Sequence, residues 1–372
     1  MKITYVTAYF LPYKSAGTER ALGYVNVAKA HKDISLNIIC PLFKNENYEK
    51  SPAINIKFLY TKINFNRESS NFFKRLFVET LVSFKLIQKM KKNISKNEKI
   101  IITTPFLPIM YLAPFLLTNR NLILEIRDST WDYFKSSYLR NLLSYLTNKI
   151  LRKYYKIITV TNKQFSMIPD NCKDKSSVYE NGISYERFNY ISDSIKPRKE
   201  NQIKNLYYCG TLGEGQNFFR VAEFMMNQPN IYLRIRGRGP QFEPIKDLIN
   251  RRDINNLELF PFATFEDVLI DYQWSDCLLL SLEKRFHSAI PSKIYEYLAT
   301  GKKVIAFCPE NSAIRDLEYE NLFFFNHPDS LTRKDLQILN EEVFLKKNIE
   351  IKINTNTIIR EKIIKTLLDN IS

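Results

Sequence analysis

Three side chains near the end of the chain are spaced for joint chemistry. Ser292, Lys293 and Glu296 lie three and four residues apart in the run 286–306, FHSAIPSKIYEYLATGKKVIA, so on a helix they share one face. An ammonium and a carboxylate then stand within two turns of a helix N-terminus, whose free N–H groups and partial positive charge suit an anion such as phosphate. Glu296, one turn deeper, is placed to accept hydrogen bonds from hydroxyls. The same pattern also fits an ordinary amphipathic helix closed by Gly301. Two further clusters lie upstream. Arg127 and Asp128 follow an apolar run in LILEIRDSTWDYF, where a structural ion pair and an acid–base pair read equally well. Gly210, Gly213 and Gly215 with Gln216 form GTLGEGQ, a glycine-rich loop between a strand-like run and a helical one. Next in the chain come Arg234, Arg236 and Arg238 with Gly237 in RIRGRGP, and on a strand those arginines share one face until the turn at Gly237.

These groups need elements to hold them. Within 286–306, Pro291 suits the first turn of a helix, Ile294 and Leu298 mark a buried face, and Gly301 suits a left-handed cap before a strand at 304–306. Strand-like runs recur at 3–7, 36–40, 56–60, 100–103, 122–126 and 157–161. A second series occupies 206–209, 232–236, 257–260, 277–282, 304–307 and 322–325. Helical patterns separate most of them, which predicts mostly parallel sheets covered on both faces. Residues 189–205 are polar and aperiodic, as a linker should be. The expectation is an α/β chain of two doubly wound domains facing a central cleft. One domain spans 1–190, a linker 191–204 and the other domain 205–354, with a C-terminal helix at 355–372 expected to pack back on the first. Clusters at the C-terminal ends of strands fall where such sheets bind ligands. Gly17 and Thr18 sit in the first of these turns, which a plain strand-to-helix connection explains equally well.

Composition narrows the partners. A formal net charge of +16 points to an anion: nucleic acid, anionic lipid or a phosphorylated substrate. No nucleic-acid motif accompanies the charge, so no nucleic-acid partner is expected. Cys40, Cys172, Cys209, Cys277 and Cys308 are scattered singly, and His31, His287 and His327 lie far apart. That argues against a disulfide frame and against a protein metal cage, and it favours a reducing cytoplasmic setting. Residues 100–117 are apolar but contain Pro105, Pro108 and Pro114, so no transmembrane helix is expected there. Residues 71–93 predict a long amphipathic helix in which Lys74, Arg75, Lys85, Lys89, Lys91 and Lys92 oppose Glu79. Such a helix serves either as a sheet cover with a solvated basic face or as a dock on an anionic membrane.

The run 286–306 resembles the donor-binding helix of GT-B glycosyltransferases of family 4, in the branch that builds bacterial capsule and O-antigen polysaccharides. The resemblance covers most of the chain and is strongest over 206–307. It implies a GT-B fold and a retaining transfer of a sugar from a nucleotide-sugar donor to a lipid-linked or oligosaccharide acceptor. No metal and no cofactor are implied, and the setting is cytoplasmic, peripheral on the inner face of the plasma membrane. Residue by residue, Glu296 would hold the donor ribose, and Lys293 with the helix dipole the diphosphate and its leaving charge. Ser292, His287, Ser288 and Ile290 would also bind the donor, Ser288 standing where the family usually has a second glutamate that touches the donor sugar. Gly210, Gly213, Gly215 and Gln216 would form the diphosphate loop, with Gln216 and Asn217 where many members have a lysine. Gly237 and Arg238 would lie near the base. Gly17 and Thr18 would form the first loop, with Ala16 in place of a glycine. Arg127 and Asp128 would stand on the acceptor side, Asp128 with an acid–base role. A nucleotide-sugar epimerase and a non-catalytic nucleotide-sugar binder share these features.

Overall fold

The computed structural model describes residues 1–11, 15–43, 54–63, 72–195, 205–262, 264–330, 335 and 358–371. The chain divides into two units, one of Met1–Ser184 with Ile359–Ser372 and one of Tyr185–Ile358.

The first unit is built on seven parallel strands. They are β1 (Lys2–Val6), β2 (Ser35–Phe43), β3 (Ile56–Ile63), β4 (Lys99–Thr103), β5 (Asn121–Ile126), β6 (Lys156–Thr159) and β7 (Ser176–Val178), in the order β3-β2-β1-β4-β5-β6-β7. Near-continuous Ile and Leu runs form the central ones because both faces are covered. Val6, Ile100, Ile102 and Leu124 pack beneath the helices Phe72–Asn93, Leu107–Leu116 and Ser137–Leu151. Alternate residues Tyr5, Ile101 and Ile123 face the helices Ala16–Ala30 and Arg360–Ile371. The returning C-terminal helix buries Ile364, Leu367, Leu368 and Ile371 there. A parallel bridge joins Ile183 to Ile359, where the chain leaves the unit and where it re-enters. The strand order reverses between β1 and β4, which makes the loops after those strands the unit's natural ligand edge.

The second unit has six parallel strands, β8 (Asn205–Thr211), β9 (Tyr232–Arg238), β10 (Leu257–Pro261), β11 (Cys277–Ser281), β12 (Lys303–Phe307) and β13 (Leu322–Phe325). Their order is β10-β9-β8-β11-β12-β13, with the reversal between β8 and β11. Leu206, Leu233, Ile235 and Ile305 pack against the helices Phe218–Met225 and Phe242–Arg252. Tyr207, Tyr272 and Tyr297 form an edge-to-face series, with ring centroids 5.7 and 5.9 Å apart. The Cys209 N–H donates to the Tyr297 hydroxyl at 3.0 Å.

Two elements differ from the sequence expectation. β7 was not expected, because Ser176-Ser177-Val178 offers no apolar run, and β6 recruits it through backbone pairing alone. The expected linker begins as helix, Tyr185–Ser194, and the unit boundary falls at Ser184 rather than 190. Only Ile191 is buried on that helix, so no apolar stripe betrays it. The rest of the expected linker, 196–204, lies outside the described residues, as do Tyr13 and Lys14 of the first loop.

Candidate active site

In the second unit the helix Lys293–Ala299 carries a converging charge cluster. One carboxylate oxygen, Glu296 Oε2, accepts from Lys293 Nζ at 3.0 Å, the Tyr272 hydroxyl at 3.1 Å and Arg187 Nη2 at 3.3 Å. Glu296 Oε1 takes part in none of these three bonds. The Glu296 and Lys293 side chains are 19% and 23% exposed, so both still reach solvent. Burial works against the Glu296 charge, but Lys293 and Arg187 outweigh it and hold the carboxyl below its ordinary range. Burial likewise opposes the Lys293 charge, and Glu296 reverses that to raise it. The pair is therefore ionised at neutral pH.

Local sequence explains the placement. Ile294 and Leu298 are fully buried, which turns Lys293 and Glu296 toward the opposite side. Pro291 does not occupy the first helical turn as expected. The helix starts at Lys293 behind Ser292, and the Pro291 carbonyl accepts from Ile294 N–H at 3.0 Å in a preceding turn. Gly301 closes the helix with φ +68°, a conformation that disfavours any residue with a Cβ.

Arg187 and Tyr272 were not among the residues expected from sequence. Arg187 lies in the run 177–188, SVYENGISYERF. The guanidinium stacks on Phe265, its Cζ 3.1 Å from the ring centroid. Tyr272 lies on the inner side of the helix Phe265–Trp274. Neither carries a motif, since each meets Glu296 only through tertiary packing.

The glycine loop follows β8. Gln216 and Asn217 turn their N–H groups onto the Gly213 carbonyl, at 3.1 and 3.2 Å, so those two donors point inward rather than toward a ligand. The Gly215 carbonyl accepts from Glu283 N–H at 2.8 Å, tying the loop to the exit of β11. Gly210 and Gly237 mark a close backbone approach, where a Cβ on Gly237 would stand 2.1 Å from the Gly210 carbonyl oxygen. Arg234 and Arg236 do share a face, and both bind Asp271, at 2.8 and 2.6 Å. Arg238 is exposed over Phe262. In the loop after β11, Ser288 and Ile290 are buried in the wall rather than displayed on it. His287 is partly exposed, and its carbonyl accepts from Ala313 N–H at 2.7 Å. A cavity of about 490 Å³ opens at the ends of β11 to β13, bounded by Asn217, Glu283, Glu310 and Asn326 among others.

The other expected residues belong to the first unit. Arg127 does not close on Asp128; its Nη2 donates to the Ala16 carbonyl at 2.8 Å, packing the guanidinium beside Gly17. Thr104 Oγ accepts from the Arg127 and Asp128 N–H groups at 2.8 and 3.0 Å, which fixes that turn. Burial raises the Asp128 carboxyl above its usual range, and the Arg127 charge only partly counters it. Thr18 is buried, and its N–H donates to Ser15 Oγ at 3.2 Å, so Ser15 caps the helix there. Beside this turn a mostly apolar groove of about 250 Å³ is lined by Leu76, Pro105, Leu107, Tyr133 and Phe134, with Arg75, Glu79 and Thr130. Behind it lies a buried cluster that sequence reading did not identify. Glu125 accepts from Arg20 Nη2 at 2.9 Å, from Tyr5 at 2.8 Å and from Tyr24 at 3.0 Å.

Among the described residues no group of His, Cys, Asp and Glu is arranged to hold a metal ion, and the five cysteines are buried and free. No helix among them is long and apolar enough to cross a membrane.

No protein-family model and no curated protein matches the chain. Solved structures do. Sucrose-phosphate synthase from Thermosynechococcus elongatus superposes with a TM-score of 0.73 at 13% identity, covering 100% of this chain and 98% of that one. The lipopolysaccharide outer core galactosyltransferase WaaB in its apo form gives 0.64 at 14% identity, covering 100% of both chains. A trehalose-6-phosphate protein from E. coli bound with UDP-2-fluoro glucose gives 0.65 at 11% identity, covering 100% of this chain and 96% of that one. Together with the two parallel-sheet units of seven and six strands, these likenesses define the fold as GT-B.

Proposed function

We propose that the chain is a retaining glycosyltransferase that moves a sugar from a nucleotide-sugar donor to a lipid-linked or glycan acceptor in cell-surface polysaccharide synthesis. The observation that carries this reading is the Glu296 cluster. One carboxylate oxygen is held by Lys293, Tyr272 and Arg187, so the carboxylate is pre-oriented before any ligand arrives. Its other oxygen is assigned to the ribose hydroxyls. Lys293 is assigned to the diphosphate, where its charge stabilises the leaving group as it develops. No metal or cofactor is assigned to that task. The departing phosphate oxygen takes the acceptor proton, so no enzyme nucleophile is required. Asp128, whose carboxyl burial raises above its usual range, is assigned to the acceptor hydroxyl, with Arg127 holding the first loop in place. The apolar groove beside that turn favours an acceptor with a hydrocarbon portion. The basic helix Phe72–Asn93 fits a peripheral position on the inner face of the plasma membrane, and the setting is cytoplasmic. UDP is the first nucleotide to test, because one structural neighbour holds a UDP-sugar.

Calorimetric titration with uridine, UDP and a UDP-sugar tests the assignment. Losing a charge-assisted hydrogen bond costs about 1.5–3 kcal/mol, roughly ten- to a hundredfold in affinity. Glu296→Gln is expected to weaken uridine by about that factor. UDP is expected to weaken less, because Lys293 freed from Glu296 attracts the diphosphate more strongly. Lys293→Met is expected to spare uridine and weaken UDP. Wild-type affinities throughout would reduce the cluster to a structural ion pair.

A further inference from the structure

The helix Ser137–Leu151 in the first unit is buried only at its C-terminal end, through Thr147, Ile150 and Leu151. Its first three turns display Tyr138, Leu139, Leu142, Tyr145 and Leu146, with Tyr138 74% exposed. Leu139, Leu142 and Leu146 follow helical spacing, so they form one stripe, with the two tyrosines along its side. A soluble surface carries single apolar residues without consequence, but not a run of this kind along one helix. Nearby, Phe115 adds a further exposed ring, 56% accessible.

Charge says what covers this face. Residues 133–169 contain no Asp or Glu, and Lys135, Arg140, Lys149 and Lys153 lie on the helix or within two residues of its ends. Two of these ammonium groups sit over the exposed rings. Lys149 Nζ is 4.4 Å from the Tyr145 ring centroid and Lys153 Nζ is 4.8 Å from that of Phe115. An apolar stripe with interfacial tyrosines and a basic rim is the composition of a helix that lies in the plane of an anionic bilayer surface. A second copy of the chain is a poor occupant, since two such rims would face each other with like charge.

We infer that Ser137–Leu151 is an interfacial membrane helix that beds Leu139, Leu142 and Leu146 among the acyl chains of an anionic bilayer. This deepens the peripheral location proposed above by naming the element that enters the lipid. It rests on that location and not on glycosyl transfer, so the two readings fail separately.

Flotation with vesicles of phosphatidylglycerol and phosphatidylethanolamine, against vesicles of phosphatidylcholine alone, tests the inference. The wild type is expected to float with the anionic vesicles and to be released by salt. Leu142→Ser with Leu146→Ser is expected to lower partitioning roughly tenfold or more, with the charges intact. Lys149→Gln with Lys153→Gln is expected to lower it on anionic vesicles only. Tyr138→Trp supplies a reporter whose emission shifts to the blue when vesicles are added, even if the serine variants fold poorly. Calorimetric uridine affinity is expected to stay at the wild-type value in every variant, which separates this outcome from loss of the nucleotide site. Equal binding to neutral vesicles, no effect of the serine pair, or no shift in Tyr138→Trp emission would overturn the inference. So would a lipid-free dimer that the serine pair dissolves.

Discussion

Glu296 and Asp128 carry the same chemical group, and their surroundings push them in opposite directions. Glu296 is partly buried but faces Lys293, Arg187 and Tyr272, so its folded-state pKa lies below the ordinary carboxylate value. Its contribution to stability is present above that ordinary value and is lost as pH falls through the lower, folded one. Glu296→Gln is therefore expected to flatten the acid limb of a melting-temperature profile, and an unchanged acid limb would count against the ion cluster. Asp128 is raised, chiefly by burial. The sign reverses: the folded state resists the charge, so stability is lost as pH rises from the unfolded pKa to the raised one. Asp128→Asn is expected to raise the melting temperature at neutral pH while lowering turnover. A lower melting temperature would mark Asp128 as a structural group instead.

Helix-to-helix contact decides the first unit's sheet cover. Gly23 lies inside the helix Ala16–Ala30, and a Cβ there would stand 2.6 Å from Ile364 Cδ1 and 2.7 Å from Arg360 Cδ. In an isolated helix Gly→Ala gains about 1 kcal/mol. Here overpacking costs about 1–3 kcal/mol, so Gly23→Ala is expected to destabilise in urea titration. A gain in stability would show that the C-terminal helix yields without cost. Arg360 pins the same junction. It donates to the carbonyls of Asn181, Gly182 and Glu19 at 3.2, 2.9 and 2.9 Å. Arg20 holds the preceding Glu180 carbonyl at 2.6 Å, so two buried guanidiniums grip one turn from both sides. Arg360→Met leaves buried acceptors without donors and is expected to cost about 3 kcal/mol in the same assay. A cost near zero would mean that the carbonyls find other donors.

At the scale of the whole molecule, net charge and ligand linkage give the broadest tests. The +16 charge is not spread evenly, since the stretch 133–169 carries no acid at all. A ligand that binds only the folded chain stabilises it by about 2.7 kcal/mol at a hundred times its Kd. A melting-temperature screen of UDP, GDP and CMP is thus expected to single out one base. No shift with any of them would remove the nucleotide from the proposal.

Local pattern determined the element sequence of this chain. The twelve expected strand runs all form, because each is a largely apolar segment bounded by polar or glycine-rich turns, and the central ones are buried on both faces. The pairing of Lys293 with Glu296 was legible for the same reason, as helical spacing makes neighbours of residues three apart. What the spacing of residues does not encode is which distant side chain completes a site. Arg187 and Tyr272 reach Glu296 from separate helices, and Arg20 meets Glu125 across 105 positions. The polar helix Tyr185–Ser194 and the serine strand β7 exist because neighbours supply what their own sequences lack, a burial site for Ile191 and a free sheet edge. Exposure was equally hidden. The amphipathic pattern of Ser137–Leu151 would ordinarily point its leucines into a core, and only the packed structure shows that full burial is confined to Thr147, Ile150 and Leu151 and leaves Leu139, Leu142 and Leu146 in solvent.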